Sequence, residues 1–192
     1  MNAPWTRAAE GLPRRAFTVK DVERMAEIGL IGDDERIELL GGEIVPMSPK
    51  GIRHELLKAA LLRRWYQSAP ETLRIIPETT FRLGGDTFLE PDILVSPKAA
   101  PLSGLTADRT LLAVEIADSS LGYDLGTKAA IYARFGLPEL WVIDAVRLVT
   151  HVHTRPGEMG YRKVTAMPAG AQLAPTAAPE LTVTLADLDL SD

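Results

Sequence analysis

Three carboxylates stand where the surrounding pattern does not favour them. Glu115 lies inside LLAVEIA (111–117), Asp92 inside EPDILV (90–95) and Glu38 inside RIELL (36–40). A buried strand avoids an ionised carboxylate unless a cation or a hydrogen-bond donor meets it. Any one of these acids could instead face water, since alternate residues of a strand point to opposite sides. Taken together that account weakens, because Glu115 is the sole polar residue in 111–116.

Magnesium would explain the arrangement. It takes hard carboxylate oxygens, with one or two protein carboxylates and a substrate phosphate completing its shell, and manganese can substitute for it. Such an ion activates water and neutralises charge developing on a phosphodiester. A lysine beside it would orient the water or stabilise the crowded phosphorus. Lys128, 13 positions after Glu115, is the candidate. By spacing alone, a solvated lysine paired with Asp124 four residues earlier accounts for it as well.

The elements that must position these residues follow from periodicity. Thr18, with acids in the turn after it and Gly29 beyond, predicts a helix to about Ile28. Gly41-Gly42 divides 36–47 into two apolar runs, a tight hairpin. From Gly51 to Gln67 the apolar positions Ile52, Leu56, Leu57, Ala60, Leu61 and Trp65 recur at helical spacing. Strands are expected at 73–76, 78–83 and 87–95, with Gly84-Gly85-Asp86 turning the chain between the last two. The run 111–117 reads as a buried central strand, and a helix over about 125–135 stops at Gly136. A second hairpin is expected over 139–153 about Asp144-Ala145, and a last strand near 181–185. The order predicts an α/β fold with a mixed central sheet flanked by helices and extra hairpins. A loose arm is expected over 1–15, ahead of a single domain over 16–192.

Composition narrows the function classes. With 192 residues, 46% of them hydrophobic, the chain can close one sizeable core. The absence of cysteine removes disulfides, thiolate zinc sites and cysteine nucleophiles. No stretch approaches the roughly 18 apolar residues of a membrane span, and residues 1–15 lack the apolar run of a signal peptide, so the expected location is cytoplasmic. A net charge of −5 argues against a general nucleic-acid coat protein, though not against a nuclease whose acids bind metal. No Walker loop, no GxSxG and no zinc-finger spacing is present.

The strings IELLGGEIVPMSP (37–49), then His54, EPDILV (90–95) and AVEIADSSLGYDLGTKAAIYARFGLPELWVID (113–144) resemble the Uma family, grouped with the PD-(D/E)xK restriction endonucleases. The resemblance runs from about Phe17 to the C-terminus. It implies a restriction-endonuclease-like fold and a magnesium-dependent endonuclease acting on DNA. It puts the family's PD on Pro91-Asp92, its second acid on Glu115, its leading glutamate on Glu38 and its displaced lysine on Lys128. Asp124 and Tyr132 match positions that would support the lysine or its helix. The chain departs from the wider (D/E)xK pattern at Ala117, where lysine would stand, and at Ala117-Asp118, where relatives often have Ser-Pro.

His54 is a candidate phosphate contact or aid to the site, with a capping or surface histidine as the alternative. His151 and His153 share one face of a strand and are expected at the surface. Arg53, Lys58, Arg63 and Arg64 could touch a phosphate backbone, or simply be a solvated helix face. Trp65, Trp141 and Phe135 are expected in the core. Three functions stay in play: a metal-dependent DNA endonuclease, a non-catalytic binding or assembly module on the same fold, and hydrolysis of some other phosphate ester by the same metal chemistry. Cutting both strands of a duplex needs two sites, which makes a homodimer the expected assembly of the first.

Overall fold

The computed structural model describes residues 5–7, 11–32 and 34–191. In chain order the strands are β1 Trp5–Arg7, β2 Pro13–Arg15, β3 Ile37–Leu40, β4 Glu43–Pro46, β5 Leu73–Pro77, β6 Phe81–Arg82, β7 Phe88–Leu89, β8 Ile93–Pro97, β9 Leu112–Ala117, β10 Glu139–Asp144, β11 Val149–Thr154, β12 Lys163–Met167, β13 Gln172–Leu173 and β14 Val183–Thr184. The helices are α1 Val19–Glu27, α2 Ile52–Ser68, α3 Leu121–Tyr123 and α4 Ala129–Arg134, the last two joined by a π-helical turn, Asp124–Lys128. Among the described residues, no helix is long and apolar enough to cross a membrane.

Backbone proximity divides the chain into two compact units, residues 1–49 with 80–90, and residues 50–79 with 91–192. Residues 80–90 thus return to the first unit from within the continuous 16–192 domain expected from the sequence. In the first unit, Thr18 caps α1 through a reciprocal capping box with Asp21. The hairpin β3–β4 turns at Gly41 and Gly42, both at positive φ, as a primed turn requires. A four-stranded sheet, β4-β3-β7-β6, packs its apolar face with Val19, Val22, Ile31, Ile37, Leu39 and Phe88. Within the stretch expected as a loose arm, β1 pairs antiparallel with β2.

The second unit is built on a six-stranded mixed sheet, β12-β11-β10-β9-β8-β5. Its one parallel pair is β9 with β10, and these central strands are buried along their whole length, which is why LLAVEIA reads as apolar apart from Glu115 and ELWVID as apolar between its terminal acids. Leu112, Val114 and Ile116 of β9 join Leu57, Leu61 and Trp65 of α2 in the larger core. Trp65 also donates from Nε1 to the Leu181 carbonyl at 2.8 Å, fixing the C-terminal segment over this face. By alternation, Ala113, Glu115 and Ala117 face the other side. There Tyr132 of α4 reaches Glu115, so helices cover both faces.

Several boundaries moved. The strand expected over 87–95 is two, β7 and β8, because Pro91 has no N–H to continue a ladder. The helix expected from 125 starts at Leu121, with Ser120 before it accepting the first backbone bonds. The second hairpin turns later than expected: Asp144 Oδ1 accepts from the N–H groups of Val146 and Arg147, both at 2.9 Å, and β11 starts at Val149. Strand β12 was not foreseen, since KVTAM is exposed along nearly all its length and carries no buried face to set a period.

Candidate active site

In the second unit, β8 and β9 run antiparallel with Ile93 opposite Val114. One position before β8 stands Asp92, and one position beyond Val114 in β9 stands Glu115, whose side chain lies on the face that α4 covers. Strand pairing at Asp92 is completed by its side chain, whose Oδ2 accepts from the Ile116 N–H at 2.7 Å. Asp92 is 5% exposed and Glu115 2%, so the solvent-facing account of these acids does not hold.

Each carboxylate is met by donors of the chain. Glu115 accepts from Lys128 Nζ at 3.0 Å on Oε2 and from the Tyr132 hydroxyl at 2.7 Å on Oε1. Lys128 is 4% exposed and lies 3.8 Å from Asp124, which in turn accepts from Ser120 Oγ at 2.5 Å. Asp124, Lys128 and Tyr132 recur every four residues, which lines them along one side of the helical run. The π turn that ends at Lys128 widens the helix where this lysine must reach the strand. Wide turns of this kind recur at functional sites.

Asp92 has a different set of partners. Its Oδ1 lies 2.8 Å from His54 Nε2 and 2.9 Å from Lys50 Nζ. Burial alone would raise its pKa, but His54, Lys50 and the Ile116 N–H outweigh that and hold it at about 2. The acid is therefore ionised across the neutral range. His54 is buried at the start of α2, with Nδ1 3.1 Å from Glu55, so it is neither a surface nor a capping histidine.

Beside this pair lies Glu78, which the sequence did not single out. It ion-pairs with Lys50 and, at 2.7 Å, with Lys58; these two lysines hold its pKa at about 2. Its backbone has φ +47°, unusual for a residue with a side chain, and its N–H donates to the Asp92 carbonyl at 3.2 Å. Lys50 was missed as well. It precedes the helix in a Pro-Lys-Gly loop with no period, and no local signal aims it at Asp92.

Glu38 belongs to the first unit. It is 1% exposed on β3 and accepts from the Glu90 N–H at 3.0 Å. The alternative that a hairpin edge exposes it is thereby excluded.

A family model described as "Putative restriction endonuclease", Uma2, matches residues 19–187. The chain belongs to the Uma2 family. A solved structure titled a putative nuclease belonging to DUF820, from Anabaena variabilis, is similar at a TM-score of 0.69 and 17% identity. That likeness covers 89% of this chain and 96% of the other, and it shows the restriction-endonuclease-like fold. The type IIG restriction endonuclease BpuSI matches at a TM-score of 0.42 and 14% identity, over 67% of this chain and 16% of its own, too distant to carry an argument. No curated protein matches.

Within this Uma2 chain other expectations divide. Trp65 and Trp141 are fully buried, their rings 6.0 Å apart, while Phe135 is half-buried beneath the Arg134 guanidinium. Arg53, Arg63 and Arg64 are exposed, whereas Lys58 is buried on Glu55 and Glu78 rather than solvated. His153 corrects the surface expectation. It is 4% exposed, stacks edge-on with Tyr161 at 5.5 Å, and its pKa falls to about 4 through burial and the nearby His151. Tyr161, eight positions on, packs against its ring, which two alternating histidines cannot reveal. At the departure from the family pattern, Asp118 packs its carboxylate against Gly51, where a Cβ would lie 2.1 Å from Oδ2.

Proposed function

We propose that this chain is a magnesium- or manganese-dependent endonuclease hydrolysing phosphodiester bonds in DNA. The observation that carries the reading is two buried acids, Asp92 on the Ile116 N–H and Glu115 just before it in the chain, with Lys128 Nζ 3.0 Å from the latter. The donor chemistry fits a hard cation: two carboxylates, one held ionised, and no sulfur. Asp92 and Glu115 would hold the ion. Glu38, buried in an apolar strand and matching the family's leading glutamate, is the third candidate for the metal.

When bound, the ion would lower the pKa of a water and draw charge from the phosphate. The chain's own part is positional. Tyr132 fixes one oxygen of Glu115, and Lys128 the other. From there the Lys128 ammonium can donate to an attacking water or to a phosphate oxygen as its charge grows. Asp124 holds Lys128 from the preceding turn, and His54 orients Asp92. Arg53, Arg63 and Arg64, exposed along α2, offer contacts to a phosphate backbone. Two copies acting together would cut both strands, as in a homodimer.

A second reading, a binding or assembly module that keeps the fold without catalysis, is favoured by one observation. Among the described residues no group of three or more His, Cys, Asp or Glu is placed to hold a metal ion. Plasmid cleavage with magnesium or manganese separates the two. Wild-type nicking that Asp92→Ala and Glu115→Ala each abolish supports the nuclease. Equal activity in all three proteins refutes it, and no cleavage together with no manganese binding by calorimetry favours the module. Glu38→Gln in the same titration tests the third candidate.

A further inference from the structure

Asp92 already carries a cation, and it is the chain's own. Its Oδ2 accepts the Ile116 N–H, and its Oδ1 takes Lys50 Nζ at 2.9 Å together with His54 Nε2. A lysine in a loop before a helix ordinarily extends into water. The Lys50 side chain is instead 12% exposed and drawn in onto Asp92 and Glu78. Glu78 does not move freely, because its left-handed backbone is tied to the Asp92 carbonyl and its carboxylate also binds Lys58 at 2.7 Å.

A metal ion bound to Oδ1 and an ammonium 2.9 Å from the same oxygen would lie within about 5 Å of each other. At that separation the two positive charges repel. We propose that Lys50 is a built-in competitor for the divalent cation: it fills the cation position on Asp92 in the metal-free protein and retreats onto Glu78 when the ion binds. The inference rests on the reading of Asp92 as a metal carboxylate. It adds two residues, Lys50 and Glu78, whose part is to set how tightly the ion is held. Lys50 answers the charge of Asp92 without metal, and Glu78 keeps it close after displacement, where it can meet the charge of a bound phosphate.

The test is calorimetric titration of chelator-treated protein with manganese chloride. Compared are wild type, Lys50→Met, Lys50→Gln, Lys58→Met and Asp92→Asn, each first shown to melt cooperatively. Both Lys50 variants should tighten manganese binding by about tenfold. Lys58→Met removes the same charge from Glu78 without touching Asp92, and should tighten it by less than about threefold. Binding in the Lys50 variants that is equal to or weaker than wild type, or a gain no larger than that of Lys58→Met, overturns the inference while wild-type binding still depends on Asp92. If Asp92→Asn binds as wild type does, the metal reading itself fails.

Discussion

Lys128→Met isolates the buried ion pair on which the candidate site is built. The two charged atoms are 3.0 Å apart, and both side chains are at most 6% exposed. At the effective dielectric of a protein interior, about 20, their attraction is about 5–6 kcal/mol. Removing one partner leaves a carboxylate out of water with Tyr132 still donating to it, a loss of about 3–5 kcal/mol. For a chain of this length each kcal/mol moves the melting temperature by about 2–4 °C, so Lys128→Met should melt roughly 6–20 °C below wild type. Glu115→Gln/Lys128→Met removes both charges and should recover much of that, with a coupling energy of about 2 kcal/mol or more. Circular-dichroism melts and urea titrations in chelator, where no ion can take the place of the lysine, measure both quantities. Lys128→Met melting within about 2 °C of wild type would mean that the pair is solvated, and the reasoning for a site at Glu115 would fail with it.

Two further perturbations test other parts of the chain. His153 is held neutral in the fold, with its pKa depressed to about 4 from 6.5. The unfolded chain therefore binds a proton that the folded one refuses, and stability is lost as the pH falls from about 6.5 towards 4, by up to about 3 kcal/mol. His153→Phe should flatten that part of a urea-midpoint profile, and an unchanged slope would refute the assignment. In the first unit, Thr18→Ala removes the side chain that accepts from the Asp21 N–H at 3.1 Å. It should cost about 1 kcal/mol, read as a fall of about 2–4 °C in the melt; no change would mean that the cap contributes nothing.

Much of this protein is determined locally and was legible in the sequence. The capping box of α1, the Gly41-Gly42 turn and the amphipathic α2 each depend on residues within a few positions of one another. The strangeness of Asp92 and Glu115 was also visible, because an acid inside an apolar run needs a partner wherever the chain goes. Lys128 could be reached only through the displaced-lysine pattern of its family, since spacing alone favoured a solvated pair with Asp124. The tertiary structure decided who the partners are. It brought Lys128 and Tyr132 onto Glu115 across 13 and 17 residues, put His54 and Lys50 on Asp92, and recruited Glu78 through a strained backbone that no residue type announces. It also buried His153 and Lys58, whose local patterns read as surface. Periodicity reports which face of an element is apolar, whereas the identity of a charge's partner depends on which elements pack together, and that is fixed only when the sheet closes.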